Sequence, residues 1–371
     1  MMSNQNHKTT RILRNRQGST ILMVMFALVA LFAFCALAID GPILLTTKTQ
    51  LQNAADAAAL AAATGLIEGD EQLATDRAIA FASYNQAVQT GRAPVAITAQ
   101  DVDFPSSDVV RVTTHRTRAT NDALRTYFMR VIDPTSDNLA DVTASAAAQA
   151  FDVCGSRCLR PWAIPDRWAD ADGDGAYDDG ELYDPQGTGY TAPLDVGTSI
   201  VLKVGNPQQS IASGQFFPVN YPPLDHPTQN PLTGGDWYRE WMAECEPFTV
   251  GPGDRLQLEP GNMVGPTSQG VDDIVASDPG ASWDAGSQTI VNSGYGLSPR
   301  VVLVPFFDPT QPPASGRNWV TVSKIGAFFV EGVSSNGNVM ARFIQVTVPG
   351  SPCEGGASLG NSFVKGIVLV E

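Results

Sequence analysis

The longest apolar stretch of the chain runs from Ile21 to Ile39 and contains no charged residue, proline or glycine. As an α-helix it would extend about 28 Å, close to the roughly 30 Å hydrocarbon core of a bilayer. Residues 1–18 carry four basic side chains and no acidic one, and Asp40 directly follows the stretch. By the positive-inside rule, the pattern predicts a cytoplasmic basic tail over residues 1–18 and a transmembrane helix over 19–40, with the later residues outside.

The end of this stretch leaves a second interpretation open, because Ala36-Leu37-Ala38 fits the A-x-A pattern of a signal-peptide cleavage site. The apolar core of a signal peptide usually has roughly 7–15 residues, which is shorter than the stretch found here. The helical pattern also continues beyond it. We therefore expect a retained membrane anchor, and a cleaved secretory signal is the alternative.

A second helical pattern follows and is dominated by alanine, the strongest helix former. Eight of the ten residues 54–63 are alanine. The pattern predicts a helical segment over residues 41–92, which Gly91 and Pro94 end. Its small side chains could be a packing face that another helix approaches closely, and an ordinary packed helix facing solvent is the alternative. The face that recurs at the helical period consists of Leu51, Ala55, Ala58 and Ala62.

Three features follow one another in the order typical of one protein family: QGS at residues 17–19, an apolar span ending in ALAID, and LQNAADAAALAAA at residues 51–63. Over about residues 11–66 the chain resembles the N-terminal module of TadE/TadG-like proteins, which belong to Flp-type (tight adherence) pilus assembly in bacteria. The resemblance implies a single-span inner-membrane protein that works with other pilus-assembly or envelope proteins. Some members carry a von Willebrand type A domain with a D-x-S-x-S metal motif, and this sequence contains no such motif.

Residues 93–153 mix strand and helix patterns. Residues 95–98, 108–116 and 140–153 alternate as strands. Between them, residues 121–132 begin with an Asn-Asp cap and keep apolar side chains on one face, which predicts a helix. The sequence therefore predicts a small α/β region with a pilin-like outline.

Turn signals dominate residues 154–371. We predict a short helix over residues 235–248 and a hairpin turn at Asn336-Gly337. The predicted strands are residues 199–205, 254–260, 299–307, 319–333, 338–348 and 362–371. Residues 154–371 are thus predicted to form a mainly β domain, and the whole chain falls in the α+β class.

Tryptophans concentrate in two short segments of this region. We expect them to be buried in its core, and an exposed partner or sugar surface is the alternative. They are Trp162, Trp168, Trp237 and Trp241.

Four cysteines lie on the predicted outer side, where an oxidising environment favours disulfides, whereas Cys35 lies in the span. Four cysteines allow three pairings. We expect Cys154–Cys158 and Cys245–Cys353, because the segment CGSRC is short enough to close locally.

The segment DADGDGAYDDGE, residues 170–181, fits the calcium-loop pattern at each fixed position. Carboxylates on alternate residues of a tight loop converge on one ion, and Gly175 supplies the sharp turn. Prolines and glycines flank the loop, so a sensor-type helix pair is excluded. We expect a structural Ca²⁺ ion, and a solvated acidic turn is the alternative. The predicted ligands are Asp170, Asp172, Asp174, the backbone carbonyl of Ala176, Asp178 and Glu181.

The formal net charge of −15 arises entirely from residues that follow the basic tail. Such an acidic body excludes nucleic acid as a partner, because nucleic-acid binding requires a basic face. The sequence has no H-E-x-x-H or Walker motif, and its G-x-S-x-G match at residues 356–360 lacks the strand-to-helix context of a nucleophile elbow. We therefore expect no catalytic residues and no small-molecule substrate.

These patterns together predict a non-catalytic, single-span protein of the bacterial inner membrane with a cytoplasmic N-terminus and an extracytoplasmic bulk. It would work in Flp/Tad-type pilus assembly or a related secretion apparatus, through interactions of its helix and outer domain with membrane lipid and envelope proteins. The alternative is a membrane-anchored, calcium-stabilised adhesion or binding protein unrelated to pili.

Overall fold

The computed structural model describes residues 17–88, 91–206, 209–261, 263–314, 316–353, 356 and 358–370. The predicted basic tail lies outside these residues, except for Gln17 and Gly18. Ala357 of the G-x-S-x-G match also lies outside them.

One continuous helix begins the described chain and covers residues 20–67. It is long and apolar enough to cross a membrane. A π-helical turn, Ala36–Asp40, joins its two parts, and Pro42 stands just after this turn, where its missing N–H is tolerated. The helices, numbered in chain order, are α1 (Gln17–Cys35), α2 (Gly41–Ile67), α3 (Glu71–Tyr84), α4 (Met129–Ile132), α5 (Gly235–Ala243) and α6 (Val264–Ser277).

Most of the chain beyond α3 is extended, which confirms the predicted α+β class with a mainly β C-terminal region. Short 3₁₀ turns occupy Ala99–Asp101 and Arg118–Thr120. The strands, numbered in chain order, are β1 (Gln86–Val88), β2 (Arg92–Pro94), β3 (Val102–Ser106), β4 (Val109–Arg116), β5 (Leu124–Arg125), β6 (Leu139–Ala140), β7 (Val142–Gly155), β8 (Trp162–Pro165), β9 (Ser199–Val204), β10 (Gln215–Asn220), β11 (Arg255–Leu258), β12 (Ser282–Asp284), β13 (Thr289–Val291), β14 (Val301–Phe307), β15 (Trp319–Val333), β16 (Val339–Phe343), β17 (Val346–Thr347), β18 (Ser351–Pro352) and β19 (Val364–Val370).

A small sheet next to the long helix has the strand order β17-β19-β7-β4-β3, and β18 also pairs with β7. Its central strand β7 pairs antiparallel with β4 on one side and with β19 on the other. The last strand of the predicted β domain therefore completes the sheet of the preceding region. Residues far apart in sequence form this sheet together.

Helices α2 and α3 pack against each other and α2 covers the small sheet. The contact between the helices is close, since a Cβ built on Gly65 would lie 2.5 Å from the backbone N of Ala74. The carbonyl of Leu51 accepts a hydrogen bond from Thr114 Oγ1 at 2.9 Å, which ties α2 to β4. Because alanine side chains are short, the helix lies close enough to the sheet for this bond.

The predicted packing face of α2 is fully buried in this intramolecular core. The prediction that this face docks on the helix of another chain is therefore wrong, because the chain's own sheet and α3 cover it. These side chains pack within the chain's own fold instead. The buried residues are Leu51, Ala55, Ala58 and Ala62.

Two of the predicted helices differ from those observed. Between α2 and α3 the chain turns at Gly69, whose φ of +71° favours glycine, and after Tyr84 it forms the β1–β2 hairpin in place of helix. Within residues 121–132 only Met129–Ile132 is helical. There the N–H groups of Tyr127 and Phe128 bond to the carboxylate of Asp40 and not to helix carbonyls, so tertiary contacts override the local pattern.

The large sheet has the strand order β11-β10-β8-β14-β15-β16-β9, and additional β11–β15 and β10–β9 pairings close it on itself. Its core contains packed aromatic rings, such as Phe343 and Phe363, which stack with centroids 5.2 Å apart. Trp162 is fully buried there and donates from Nε1 to the hydroxyl of Tyr238 at 3.0 Å, which ties α5 to β8. Trp168 and Trp241 are also buried, and Trp237 is 39% exposed.

Strand β7 connects the two cores. Ala144 and Ala148 in its first part belong to the small core, whereas Phe151 and Val153 in its last part belong to the large core. The predicted boundary between residues 153 and 154 falls inside this strand. The two regions thus share a continuous backbone element.

Candidate functional site: the membrane module and the acidic loop

The surface of α1 is apolar on every side that the structure describes. Ile21, Met23, Phe26 and Phe34 are each at least two-thirds exposed, and the helix makes contacts within the chain mainly at its C-terminal end. Water would surround these side chains unfavourably, whereas hydrocarbon covers them at no such cost. The free cysteine of the described residues, Cys35, lies at the end of this helix.

The acidic loop folds around the carboxylate of Asp170. Its Oδ1 accepts a hydrogen bond from the N–H of Gly173 at 2.8 Å, and its Oδ2 accepts one from the N–H of Gly175 at 3.0 Å. Both glycines have φ of +77°, a left-handed conformation that glycine adopts without a Cβ clash. The glycines thus let the backbone curl around the first acidic residue.

Three predicted ligands meet in this loop. Asp170, Asp172 and Asp174 each offer one carboxylate oxygen, and these oxygens lie within 4.8 Å of one another. Calcium binds oxygen at about 2.3–2.6 Å, so oxygens on opposite sides of one ion would be separated by about 5 Å. The donor type and the spacing therefore fit Ca²⁺.

The other predicted ligands lie outside that group. Asp178 N–H and Ala171 N–H donate to Glu181 Oε2 and Oε1 at 3.1 and 2.7 Å, so this carboxylate closes the loop. The negative charge of Asp174 is the main cause that raises the pKa of Asp178, followed by burial and the neighbouring carboxylates. Ala176 donates its N–H to Asp174 Oδ1 at 2.7 Å.

Strand-like bridges hold the loop, and no helix flanks it within the described residues. Ala169 N–H donates to the Leu182 carbonyl at 2.9 Å at the base of the loop. A second bridge pairs Ala176 with Ala212, through hydrogen bonds that do not use the Ala176 carbonyl. The loop is therefore part of the β region. An ion bound in the loop would connect the residues before Ala176 with the residues after it.

The disulfides pair differently from the prediction. Cys154 bonds to Cys353 and Cys158 bonds to Cys245, with Cα–Cα distances of 4.8 and 4.3 Å. The predicted Cys154–Cys158 bond is wrong because distant segments bring other partners to these cysteines. Strand β18 pairs with β7 and places Cys353 beside Cys154, and the N–H of Cys158 donates to the carbonyl of Glu246, the neighbour of Cys245.

Comparison with known proteins identifies the N-terminal module. A family model described as "Putative Flp pilus-assembly TadE/G-like" matches residues 18–65. No curated protein and no solved structure matches the chain. The matched residues cover the apolar helix α1, the π-helical turn and nearly all of α2. The resemblance expected from the sequence is thus confirmed: residues 18–65 of this chain form a TadE/TadG-like module.

Proposed function

We propose that the chain is a non-catalytic, single-span inner-membrane component of a Flp/Tad-type pilus assembly or related secretion apparatus. The observation that carries this proposal is the coincidence of the family match, residues 18–65, with the long helix, residues 20–67. The family-like segment is the part that would cross the membrane and then support the outer fold. The N-terminus would be cytoplasmic and residues after Asp40 extracytoplasmic.

The burial pattern of the long helix supports a division of labour between its halves. The first half exposes apolar side chains, and the alanine face of the second half is buried in the chain's own core. Partners of the outer region would therefore meet the surface of the two β regions and not the alanine face. That surface is acidic, which favours partners with basic contact patches.

The acidic loop would add a structural Ca²⁺ ion to this outer region. Asp170, Asp172 and Asp174 would hold the ion, because their oxygens already lie together. The ion would neutralise carboxylates that otherwise repel one another. Its role would be to stabilise the loop against the neighbouring segment at Ala212.

Deletion of the gene in the source bacterium tests the proposed function. We expect loss of surface pili in electron micrographs and in sheared fractions, with recovery when the full chain is supplied. Normal pili in the deletion strain would contradict the proposal and favour a separate envelope adhesion role.

The topology is tested with reporters at the C-terminus of the full chain. An alkaline phosphatase fusion should be active, because that enzyme requires the oxidising extracytoplasmic space. A fluorescent protein that matures in the cytoplasm should be dark at the same position. The opposite pair of results would overturn the membrane orientation.

The metal proposal is tested by thermal melting of the full chain in detergent, with Ca²⁺ or Mg²⁺ added. For an extracellular-type site with a dissociation constant of about 10⁻⁴–10⁻³ M, excess Ca²⁺ should stabilise the fold by roughly 1–3 kcal/mol. Asp172→Asn should remove this stabilisation, whereas Asp273→Asn on the exposed side of α6 should keep it. Equal melting with and without Ca²⁺ would overturn the metal site and leave the pilus proposal standing.

A further inference from the structure

A loop of the outer region lies against the membrane helix. Helix α4, Met129–Ile132, contacts both α1 and the π-helical turn. The ring of Phe128 stacks on the ring of Phe32, with centroids 6.3 Å apart and an angle of 18° between the rings. Residues 126–133, which we call the span loop, are therefore continuous with the surface of the apolar span.

The stacked pair gives the depth of this loop. Phe32 stands seven residues before Ile39, the last apolar residue of the span. At about 1.5 Å per helical residue, Phe32 lies about 10 Å inside the outer end of the span. If α1 crosses the bilayer, the ring of Phe128 lies at the level of the acyl chains and not in the water above them.

The backbone of the span loop is bonded in a way that suits this depth. Both carboxylate oxygens of Asp40 accept backbone hydrogen bonds, from Tyr127 N–H at 2.9 Å and from Phe128 N–H at 2.8 Å. Thr126 N–H donates to the carbonyl of Asn138 at 2.9 Å. Hydrocarbon offers no hydrogen-bond partners, so irregular backbone persists near it only where protein groups supply them. Asp40, which is itself 1% exposed, supplies two.

The side chains that the loop turns outward also fit a lipid boundary. Tyr127 is 62% exposed and Ile132 is 51% exposed, and Leu37 of the adjoining π-helical turn is 67% exposed. Tyrosine is enriched where hydrocarbon meets headgroups. Arg130 is exposed on the same short helix, and its long side chain can reach lipid phosphates while its stem stays in apolar surroundings.

We infer that the span loop is a second membrane contact, inserted in the outer leaflet beside α1 and held by the carboxylate of Asp40. The inference rests on the proposed membrane topology. The β5–β6 pairing closes the base of this loop, and β6 leads directly into β7 of the small sheet. A loop fixed in the leaflet therefore sets the height and tilt of the outer fold relative to the membrane. Without this loop, the single helix of the span would be the only element to set them.

Spin labels on the full chain in lipid nanodiscs test this inference. In a Cys35→Ser background, single cysteines replace Ile132 in the span loop, Leu28 in the span, or Tyr84 at the end of α3. The three native side chains are all exposed, so the labels should not disturb the core. Accessibility to oxygen, which concentrates in lipid, is compared with accessibility to a water-soluble nickel chelate.

We expect the oxygen-to-nickel ratio at Ile132→Cys to be several-fold above that at Tyr84→Cys and close to that at Leu28→Cys. A ratio at Ile132→Cys equal to that at Tyr84→Cys, with Leu28→Cys in lipid, would overturn the inference and leave the topology intact. A nickel-accessible Leu28→Cys would overturn the topology and the inference with it. Asp40→Ala should release the loop, so the ratio at Ile132→Cys should fall while that at Leu28→Cys stays unchanged.

Discussion

The ammonium group of Lys365 donates a hydrogen bond to Asp152 Oδ1 at 2.6 Å, although the two residues are 213 positions apart in the sequence. Lys365 lies in β19 and Asp152 in β7, at the point where the small core meets the large one. The lysine side chain is 2% exposed and also donates to the Gly360 carbonyl at 2.7 Å. The pair thus fixes the last strand to the element that both cores share.

Removing this lysine charge should destabilise the fold strongly. Lys365→Met leaves the carboxylate of Asp152 without its charged partner, and breaking a buried pair from one side costs about 3–5 kcal/mol. The free energy of unfolding, from denaturant titration of the full chain in detergent, gives the measurement. Lys203→Met is the matched control, since Lys203 is an exposed strand lysine and its loss should cost less than about 0.5 kcal/mol. Equal effects of the two variants would contradict the structural role of Lys365.

The disulfide pairing can be read directly from peptides. Trypsin cleaves after Arg157, which separates Cys154 from Cys158. Under non-reducing conditions we expect one linked pair containing Cys154 and Cys353, and another containing Cys158 and Cys245. Reduction should release all four peptides. A Cys154–Cys158 linkage in the oxidised protein would contradict the pairing of β18 with β7 that brings Cys353 to Cys154.

Each disulfide closes a long loop, with sequence separations of 199 and 87 residues. In the chain-entropy account, loops of this length correspond to about 4–5 kcal/mol each. The double variant Cys154→Ala/Cys353→Ala should therefore lower the melting temperature clearly. Cys35→Ala should leave it nearly unchanged, because Cys35 forms no disulfide.

Glu246 should make stability depend on pH. Burial raises its pKa to about 7, although the N–H groups of Leu159 and Phe248 donate to its carboxylate at 3.0 and 2.7 Å. The folded protein therefore holds a proton that the unfolded chain releases above its ordinary value of 4.5. The protonated Glu246 therefore contributes up to about 3 kcal/mol to the free energy of unfolding. This contribution is complete below pH 4.5 and is lost as the pH rises through about 7.

Glu246→Gln should remove this dependence. At low pH the melting temperatures of the variant and the unmodified chain give the reference difference. As the pH rises from 5 to about 8, the melting temperature of the variant should rise relative to that of the unmodified chain. Glu240→Gln, at an exposed position of α5, should show the same pH profile as the unmodified chain. Identical profiles for all three proteins would show that Glu246 ionises normally.

Gly65 should tolerate no side chain. A Cβ at this position would stand 2.5 Å from the backbone N and 2.6 Å from the Cα of Ala74, and neither backbone atom can move away as a flexible side chain would. Gly65→Ala should therefore separate α2 from α3 and destabilise the fold by about 1–3 kcal/mol. Gly265→Ala in α6 meets open space, so helix propensity should make it neutral or stabilising by up to about 1 kcal/mol. Chemical denaturation of both variants decides the comparison.

The sequence predicted local features well where one physical signal dominated. The apolar run of residues 21–39 indicated the membrane-type helix, and the alanine-rich run indicated α2. Alternation and turn signals predicted most of the long strands, including β14 and β15. These signals depend only on neighbouring residues, so they can be recognised without tertiary information.

The acidic loop was predictable for the same reason, since its aspartates occupy alternate positions of one short segment and glycines stand between them. What the sequence could not give was the use of Glu181, which the structure turns toward the N–H groups of Ala171 and Asp178. Hydrogen bonds and like-charge repulsion decide that orientation within the loop. Of the six predicted ligands, the carboxylates of Asp170, Asp172 and Asp174 lie close together, and the calcium site itself stays a prediction.

By itself the sequence determined that this chain has an apolar helix followed by an alanine-rich helix, a mainly β remainder and a TadE/TadG-like N-terminal module. Only the tertiary structure decided what those helices and cysteines contact. It buried the alanine face under the chain's own sheet, paired Cys154 with Cys353, and placed residues 127–128 on Asp40 in place of a helix. The physical reason is that these contacts join residues tens to hundreds of positions apart, and their energies depend on a packing arrangement that no local pattern records.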